Sequence, residues 1–286
     1  FPIQKLNATS TNFKGKTKTY GAVFHLTDWA AVFYNNSDNF APQSTLTILG
    51  TQLGPRFGKG EDYGLKFRLL GGRVYASATR YSTSEVNRQN FASGTLIDII
   101  NELFDAQGVS TRVAGPTSRD SVDTVGKGYE FEVTANLTPQ WRLTTNFSQT
   151  LGTQSNNQPR LRAFVDSHRP AWEANRALPL IQPTPGIPVP AIDPATGNPS
   201  SIADGLRFLD QQILNILGAN GVTRKQVREY SGSLFTAYTF RSDQRWLNDF
   251  TAGIGVRYRG KPVVGYINGI QPIFGDSETT VNMMFA

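Results

Sequence analysis

The clearest signal in the chain is a period of two. In Tyr63-Gly64-Leu65-Lys66-Phe67-Arg68-Leu69 the odd positions are apolar and the even ones are Gly, Lys and Arg. Tyr129 to Asn136 repeats the pattern with Glu130 and Glu132 on its polar side, and Trp141 to Ser148 repeats it with Arg142, Thr144 and Asn146. Phe250 to Tyr258 alternates Phe, Ala, Ile, Val and Tyr against Thr, Gly, Gly and Arg. Successive strand residues point to opposite faces, so such alternation predicts strands with one apolar and one polar face. Weaker runs at Thr19–Leu26, Trp29–Asn36, Val74–Tyr81, Tyr230–Phe240 and Thr279–Phe285 bring the expected number to about nine.

The gaps between these runs alternate in length. Short ones fall at Thr27-Asp28, Leu70-Gly71-Gly72, Thr138-Pro139-Gln140 and Arg241 to Arg245, with long ones in between. Turns on one side and loops on the other are the habit of outer-membrane barrels, whose short turns face the periplasm. Gly71-Gly72 supplies the positive φ of a tight hairpin. Every proline falls in an expected loop or turn, as central strands require.

The aromatic residues follow the same geometry. Trp29, Trp141 and Trp246 each come just after a short gap, and Tyr63, Tyr129, Phe147 and Tyr258 lie at the other strand ends. Rings at both ends of the strands are expected to form the two girdles of a membrane barrel. A soluble sandwich would hold them as core aromatics instead.

Two long gaps carry helical spacing. Leu96, Ile97, Ile100, Leu103 and Phe104 follow Thr95-x-x-Asp98 and precede Gly108, while Leu206, Leu209, Ile213 and Leu217 follow Ser201-x-x-Asp204 and precede Gly218. These are helices with capping boxes, expected to brace the loops or to close over a mouth. The Pro- and Gly-rich stretch Pro179–Pro199 reads as an irregular excursion. The expected architecture is therefore all-β: a transmembrane antiparallel meander forming part of a larger barrel across residues 1–286, with short helices in its long extracellular loops.

Composition narrows the function. No run approaches the roughly 20 apolar residues of a membrane helix, and mean hydropathy is −0.33. A barrel escapes that measure because its lipid-facing residues alternate with polar ones. There is no Cys, and His25 and His168 have no partners at ligand spacing, so no metal site is expected. The net charge of +6 is spread along the chain rather than clustered, which argues against nucleic acid. Gly15-Lys16-Thr17 lacks the rest of a phosphate loop, and no nucleophile elbow occurs. No catalytic residue is expected, and no cofactor.

The polar sides of the strands offer more. Lys66, Arg68, Glu130, Glu132, Arg142, Arg257 and Arg259 are expected to face a hydrated lumen, as an open channel or as a surface that holds an internal plug. In the sixth and longest loop, Trp172 beside His168 and Arg169 is a candidate for ligand capture; the alternative is that Trp172 packs the loop on the helix at 203–217.

Several of these stretches carry a family resemblance. Gly58 to Phe67, Gly126 to Thr150 (GKGYEFEVTANLTPQWRLTTNFSQT), Leu234 to Phe240 and Gly253 to Gly260 resemble, in order, strand starts and hairpins of TonB-dependent receptor barrels. The resemblance implies a barrel of about twenty-two strands around an N-terminal plug in the bacterial outer membrane, energised by the TonB–ExbB–ExbD complex. The implied activity is active import of a bulky solute of the siderophore, cobalamin or oligosaccharide class, in contact with outer-membrane lipid. A signal peptide, plug and closing strand are not recognised in the sequence, so it reads as an internal piece of such a protein. A passive porin-like channel, or a soluble all-β carbohydrate-binding or adhesive module, are the alternatives.

Overall fold

The computed structural model describes residues 13–91, 94–109, 119–178, 180, 201–267 and 271–286. In chain order the strands are β1 (Lys18–His25), β2 (Ala30–Ala41), β3 (Arg56–Leu69), β4 (Val74–Phe91), β5 (Arg119–Asn136), β6 (Trp141–Ser155), β7 (Tyr230–Thr239), β8 (Thr251–Arg259), β9 (Val263–Ile267), β10 (Gln271–Phe274) and β11 (Glu278–Phe285). The helices are α1 (Gly94–Ala106), α2 (Pro159–Ala174) and α3 (Ile202–Gly218). Nine strands form one open antiparallel meander, β1-β2-β3-β4-β5-β6-β7-β8-β11, and β9 with β10 makes a separate hairpin.

The connections segregate by length as the alternation predicted. At one end lie 26–29, 70–73, 137–140 and 240–250; at the other lie 42–55, 92–118, 156–229 and 260–277. The β3–β4 connection needs three successive positive φ values, 53° at Leu70, 63° at Gly71 and 87° at Gly72. Two glycines take that conformation without strain.

Strands β2 to β6 run well past the stretches of apolar alternation, so the long loops are shorter than expected. β4 and β5 have 18 residues each, against the roughly 9–11 that a tilted strand needs to cross a bilayer. Beyond such a span lipid no longer demands an apolar face, so hydrogen bonding continues while the two-residue code fades. That is why the sequence pattern stops at Tyr81 and begins again only at Tyr129, whereas β4 and β5 stay paired out to Phe91↔Arg119.

The helices supply a compact apolar core that the sheet lacks. Leu96, Ile100 and Leu103 of α1, Leu161, Val165 and Trp172 of α2, and Leu206 and Leu209 of α3 are buried together, joined by Ile48 and Leu180. Ser201 caps α3 as its spacing predicted, its backbone N–H donating to Asp204 Oδ2 at 3.1 Å. Gly108 (φ 69°) follows α1, where Val109 N–H donates to Phe104 O at 3.0 Å. α1 begins at Gly94, so Thr95 falls within the helix and not before it.

Three sequence expectations change, and a fourth falls outside the described residues. α2 was not foreseen: Leu161, Val165 and Trp172 have helical spacing, but Pro170 inside the helix and four arginines around them obscure it. β9 and β10 were read as loop. Not every proline is in a loop, since Pro159 starts α2, Pro170 lies inside it, and Pro272 sits in β10. Pro272 is tolerated because a two-stranded hairpin has edges that need no donor. The Pro/Gly-rich 179–199 lies outside the described residues except Leu180.

Asp120 on β5 anchors this helical layer to the sheet. It is fully buried, and its carboxylate accepts from Leu161 N–H (2.8 Å) and from Arg160 Nη1 (3.3 Å), supplying an orphan donor in the first turn of α2 with its acceptor. Asn90 Nδ2 donates to Asn157 Oδ1 at 2.7 Å, and Gln158 N–H to Ser121 O at 2.9 Å.

One group in the layer is badly placed. Glu102 on α1 is 1% exposed, and its carboxylate oxygens have no hydrogen-bond partner among the described residues. Burial first, and Asp98 and Asp105 beside it second, push its pKa up to about 7. A carboxyl that holds its proton more tightly when folded stabilises at low pH and loses that contribution as pH rises from the ordinary Glu range through about 7. Glu102→Gln should therefore protect the helical layer by about 2–3 kcal/mol above pH 8 and leave it unchanged near pH 4. Hydrogen exchange of α1 amides at both pH values measures this, and equal protection in variant and wild type at pH 8 would contradict it.

Candidate functional site

The register divides the side chains of the sheet into two faces. Following direct cross-strand partners from Leu65 gives Val32, Ala78, Phe131 and Phe147, then Gly232 and Tyr258. From Phe67 the same walk gives Ala30, Ala76, Val133, Thr145, Leu234, Val256 and Val281. Tyr63, Leu65 and Leu69, with Phe131, Phe147, Leu234, Ile254 and Tyr258, are all exposed on this face. A soluble sheet would bury such a surface. Here no layer of the described chain covers it.

Aromatic residues bound the apolar band. At the short-turn end Trp29 stacks on Phe67 at 6.3 Å, and Trp141 Nε1–H donates to Thr236 Oγ1 at 2.8 Å. Trp246 lies in the 240–250 turn at the same end, 75% exposed. Toward the long-loop end Tyr63 and Tyr129 flank Arg80, whose guanidinium donates to the Tyr63 hydroxyl. One step further the same face turns polar, with Glu61, Ser82 and Lys127 in one row. The Tyr34 hydroxyl donates to Glu61 Oε1 at 3.0 Å across that boundary.

The opposite face is predominantly polar. Lys66, Ser77, Glu132, Asn146, Ser233 and Arg257 form one cross-strand row. Thr79, Glu130, Ser148, Ser231 and Arg259 form the next. Arg68 and Arg142 share this face, opposite Tyr75 and Ala237. All seven charged residues singled out from the sequence thus stand on one face. Only Arg259 of the seven makes an ion pair among the described residues, with Glu278 at 3.7 Å. Lys66 also lies over the Phe33 ring at 4.8 Å.

Further along this polar face the side-chain layer disappears. Gly60, Thr83, Gly126 and Gly152 make a single row, and a recess of about 470 Å³ opens above it. A Cβ on Gly126 would stand 3.0 Å from Thr83 Oγ1, and one on Gly152 3.2 Å from Val227 Cγ2. The glycines keep the recess open. At its far rim Glu85 is held by Arg56 at 3.1 Å and Arg88 at 3.8 Å. A β-bulge between Glu85 and Arg88 brings Arg88 onto this face, against the parity of its number. Asn87 takes φ 61° there, its backbone N–H donating to Asp123 Oδ1 at 2.8 Å.

The aromatic capture site expected in the longest loop is not formed. Trp172 is 0% exposed in the helical core, 5.5 Å from Phe104. His168 stacks on Phe164 at 4.2 Å, with Nδ1 at 2.8 Å from Phe164 O. Arg169 pairs with Asp210 of α3, which raises its pKa. The three residues share one turn of α2 whose apolar side turns inward, so they hold α2 on α1 and α3. What the sequence reading missed is the glycine recess, whose only signal was small residues at alternate positions on four different strands.

With this geometry in view, the comparisons are specific. No family model matches the chain. A ferric-pyoverdine receptor of Pseudomonas putida is 31% identical over 132 residues, 46% of this chain and 14% of that protein. The ferripyoverdine receptor of the Pseudomonas aeruginosa outer membrane, solved with ferripyoverdine, superposes with a TM-score of 0.55 at 18% identity, over 93% of this chain and 26% of that one. The ferric-catecholate import receptor Fiu of E. coli superposes at 0.51 with 16% identity, over 93% and 28%. The chain thus spans about a quarter of the solved receptors it matches.

A band whose two faces differ so sharply sets an asymmetric test. Leu234 is midway between Tyr230 and Tyr238 on the apolar face, and Thr144 is on the polar one. Leu234→Arg should cost the intact protein about 2–4 kcal/mol, and Thr144→Arg less than about 1 kcal/mol. Equilibrium refolding into lipid vesicles measures both, and equal costs would contradict the assignment of faces. The sheet has the fold of an arc of barrel wall from the outer-membrane TonB-dependent siderophore receptors.

Proposed function

We propose that this chain forms part of the wall of an outer-membrane receptor that takes up a ferric siderophore by TonB-driven import. The observation that carries the reading is the pairing of a bare apolar face with a continuous charged face, crowned at the long-loop end by a glycine recess and a helical layer. The apolar face, bounded by Trp29, Trp141 and Trp246 at one end and by Tyr63, Tyr129 and Tyr258 at the other, meets lipid. Lys66, Arg68, Glu130, Glu132, Arg142, Arg257 and Arg259 line the water-filled interior. Charges of both signs there, few of them paired with each other, suit hydrogen bonds to a plug domain within the lumen. Through that plug the TonB–ExbB–ExbD complex would deliver energy.

The ligand class rests on the named relatives, a ferric-pyoverdine receptor and a ferripyoverdine receptor. Transport receptors of this fold bind and pass their solute without chemical change, so no catalytic role is proposed. The long-loop end is the outward one, where the recess and helices would meet the arriving chelate.

Uptake of radioactive iron from ferric pyoverdine tests this. Cells whose own receptors are deleted and which express the intact protein should accumulate iron only while TonB is present. Uptake that persists without TonB would mean a passive channel, and no binding to cells with correctly assembled protein would exclude this ligand class.

A further inference from the structure

A second cavity lies beyond the recess, and nothing above gives it a task. It measures about 380 Å³, opens to solvent, and is bordered by Leu96 of α1, the ends of β4 and β6, the last turns of α3, the segment at 223–225 and the β9–β10 hairpin. Its polar lining includes Gln154, Gln212, Asn215, Arg224, Lys225 and Tyr266, and no carboxylate. The hairpin is tied in place by the chain it covers: Gln226 N–H donates to Val263 O at 2.7 Å, and Arg228 donates to Gly260 O.

Two groups bordering this cavity have no side-chain partner among the described residues. The Tyr266 hydroxyl is buried with no hydrogen-bond partner. The Arg224 side chain is half-buried and makes no hydrogen bond or ion pair among the described residues, although Glu85 nearby is taken by Arg56 and Arg88. Lys225 adds a solvent-exposed ammonium at the rim. A buried donor left unmade costs free energy that a ligand's acceptor recovers. Burial, and then the charge of Arg88, push the Arg224 pKa down, so this site favours an arriving negative charge.

We propose that this chamber binds a small hydroxylated carboxylate, with Arg224 and Lys225 holding the carboxylate and Tyr266 donating to it. The neutral amides of Gln154, Gln212 and Asn215 decide for hydroxyl groups on the same molecule. Each amide both donates and accepts, which a hydroxyl satisfies and a bare phosphate oxygen does not. Leu96, Ile216 and Ala219 give the carbon skeleton an apolar side. Arg224 lines this chamber and the glycine recess alike, so the bound anion would sit at the passage between them. The inference does not depend on import: a chamber that binds such an anion is compatible with failure of the uptake experiment, and the reverse.

The test is calorimetric titration of tartrate into the intact protein in detergent. Saturable binding is expected, weakened at least about tenfold by Arg224→Gln and about threefold by Tyr266→Phe, with Lys127→Gln, on the opposite face, unchanged. Migration of the unheated protein on a gel reports assembly. If Arg224→Gln fails to assemble, Lys225→Gln takes its place with the same expected loss. No saturable binding by the wild type, or full affinity in assembled variants of the chamber, would overturn the proposal. Phosphate binding as tightly as tartrate would overturn the assigned ligand class.

Discussion

A peptide group left without a partner in hydrocarbon costs several kcal/mol, and a strand can meet that demand only through its two neighbours. Every strand from β2 to β8 is paired on both sides, and its register is fixed residue by residue. A shift by one position would turn Leu65 and Phe67 to the polar side and Lys66 and Arg68 into the apolar band. The ladder and the two-faced pattern therefore enforce each other. The ladder requires extended backbone, and the pattern chooses which of two registers is tolerable.

That coupling explains which parts of the architecture could be read directly. Tyr63 to Leu69, Tyr129 to Asn136 and Trp141 to Ser148 all fall within the apolar band, where each residue is constrained by its face, and each is found as strand. Beyond the band the constraint lapses. Residues 82–91 of β4 and 119–128 of β5 are hydrogen-bonded strand, yet they lie beyond the apolar band, where lipid no longer requires one face to be apolar. Nothing in their order of polar residues distinguishes them from loop.

The helical layer was legible in the same uneven way. α1 and α3 show their apolar stripes because one face packs on a core and the other on water. α2 carries Pro170 and a series of arginines, and its burial is decided by the partners α1 and α3, which are far away in sequence. Trp172 illustrates the difficulty. An aromatic beside His and Arg suits a ligand, and it equally suits a helix interface in which His168 stacks and Arg169 pairs with Asp210. Only the position of α3 chooses between them. The glycine recess was hidden for a related reason, since Gly60, Gly126 and Gly152 become neighbours only once three hairpins are in register.

Two different sources of stability meet at the long-loop end. The sheet has almost no interior of its own: its apolar face is bare, and its order rests on the ladder and on whatever covers that face. The helices have a dry core, held to the sheet by a few polar anchors, chiefly Asp120 at the start of α2 and the Asn90–Asn157 bond. Such a joint lets the layer loosen without breaking the ladder, because its core and the ladder share few contacts. Among the described residues, unsatisfied groups lie on the long-loop side of that joint, with Glu102 inside the layer and Tyr266 on β9 of the hairpin. Arg224 stands where the two systems meet, lining the glycine recess on one side and the second cavity on the other. The Tyr266 hydroxyl and the Arg224 side chain, without partners among the described residues, thus stand where sheet, helices and solvent converge, at the end of the ladder rather than within it.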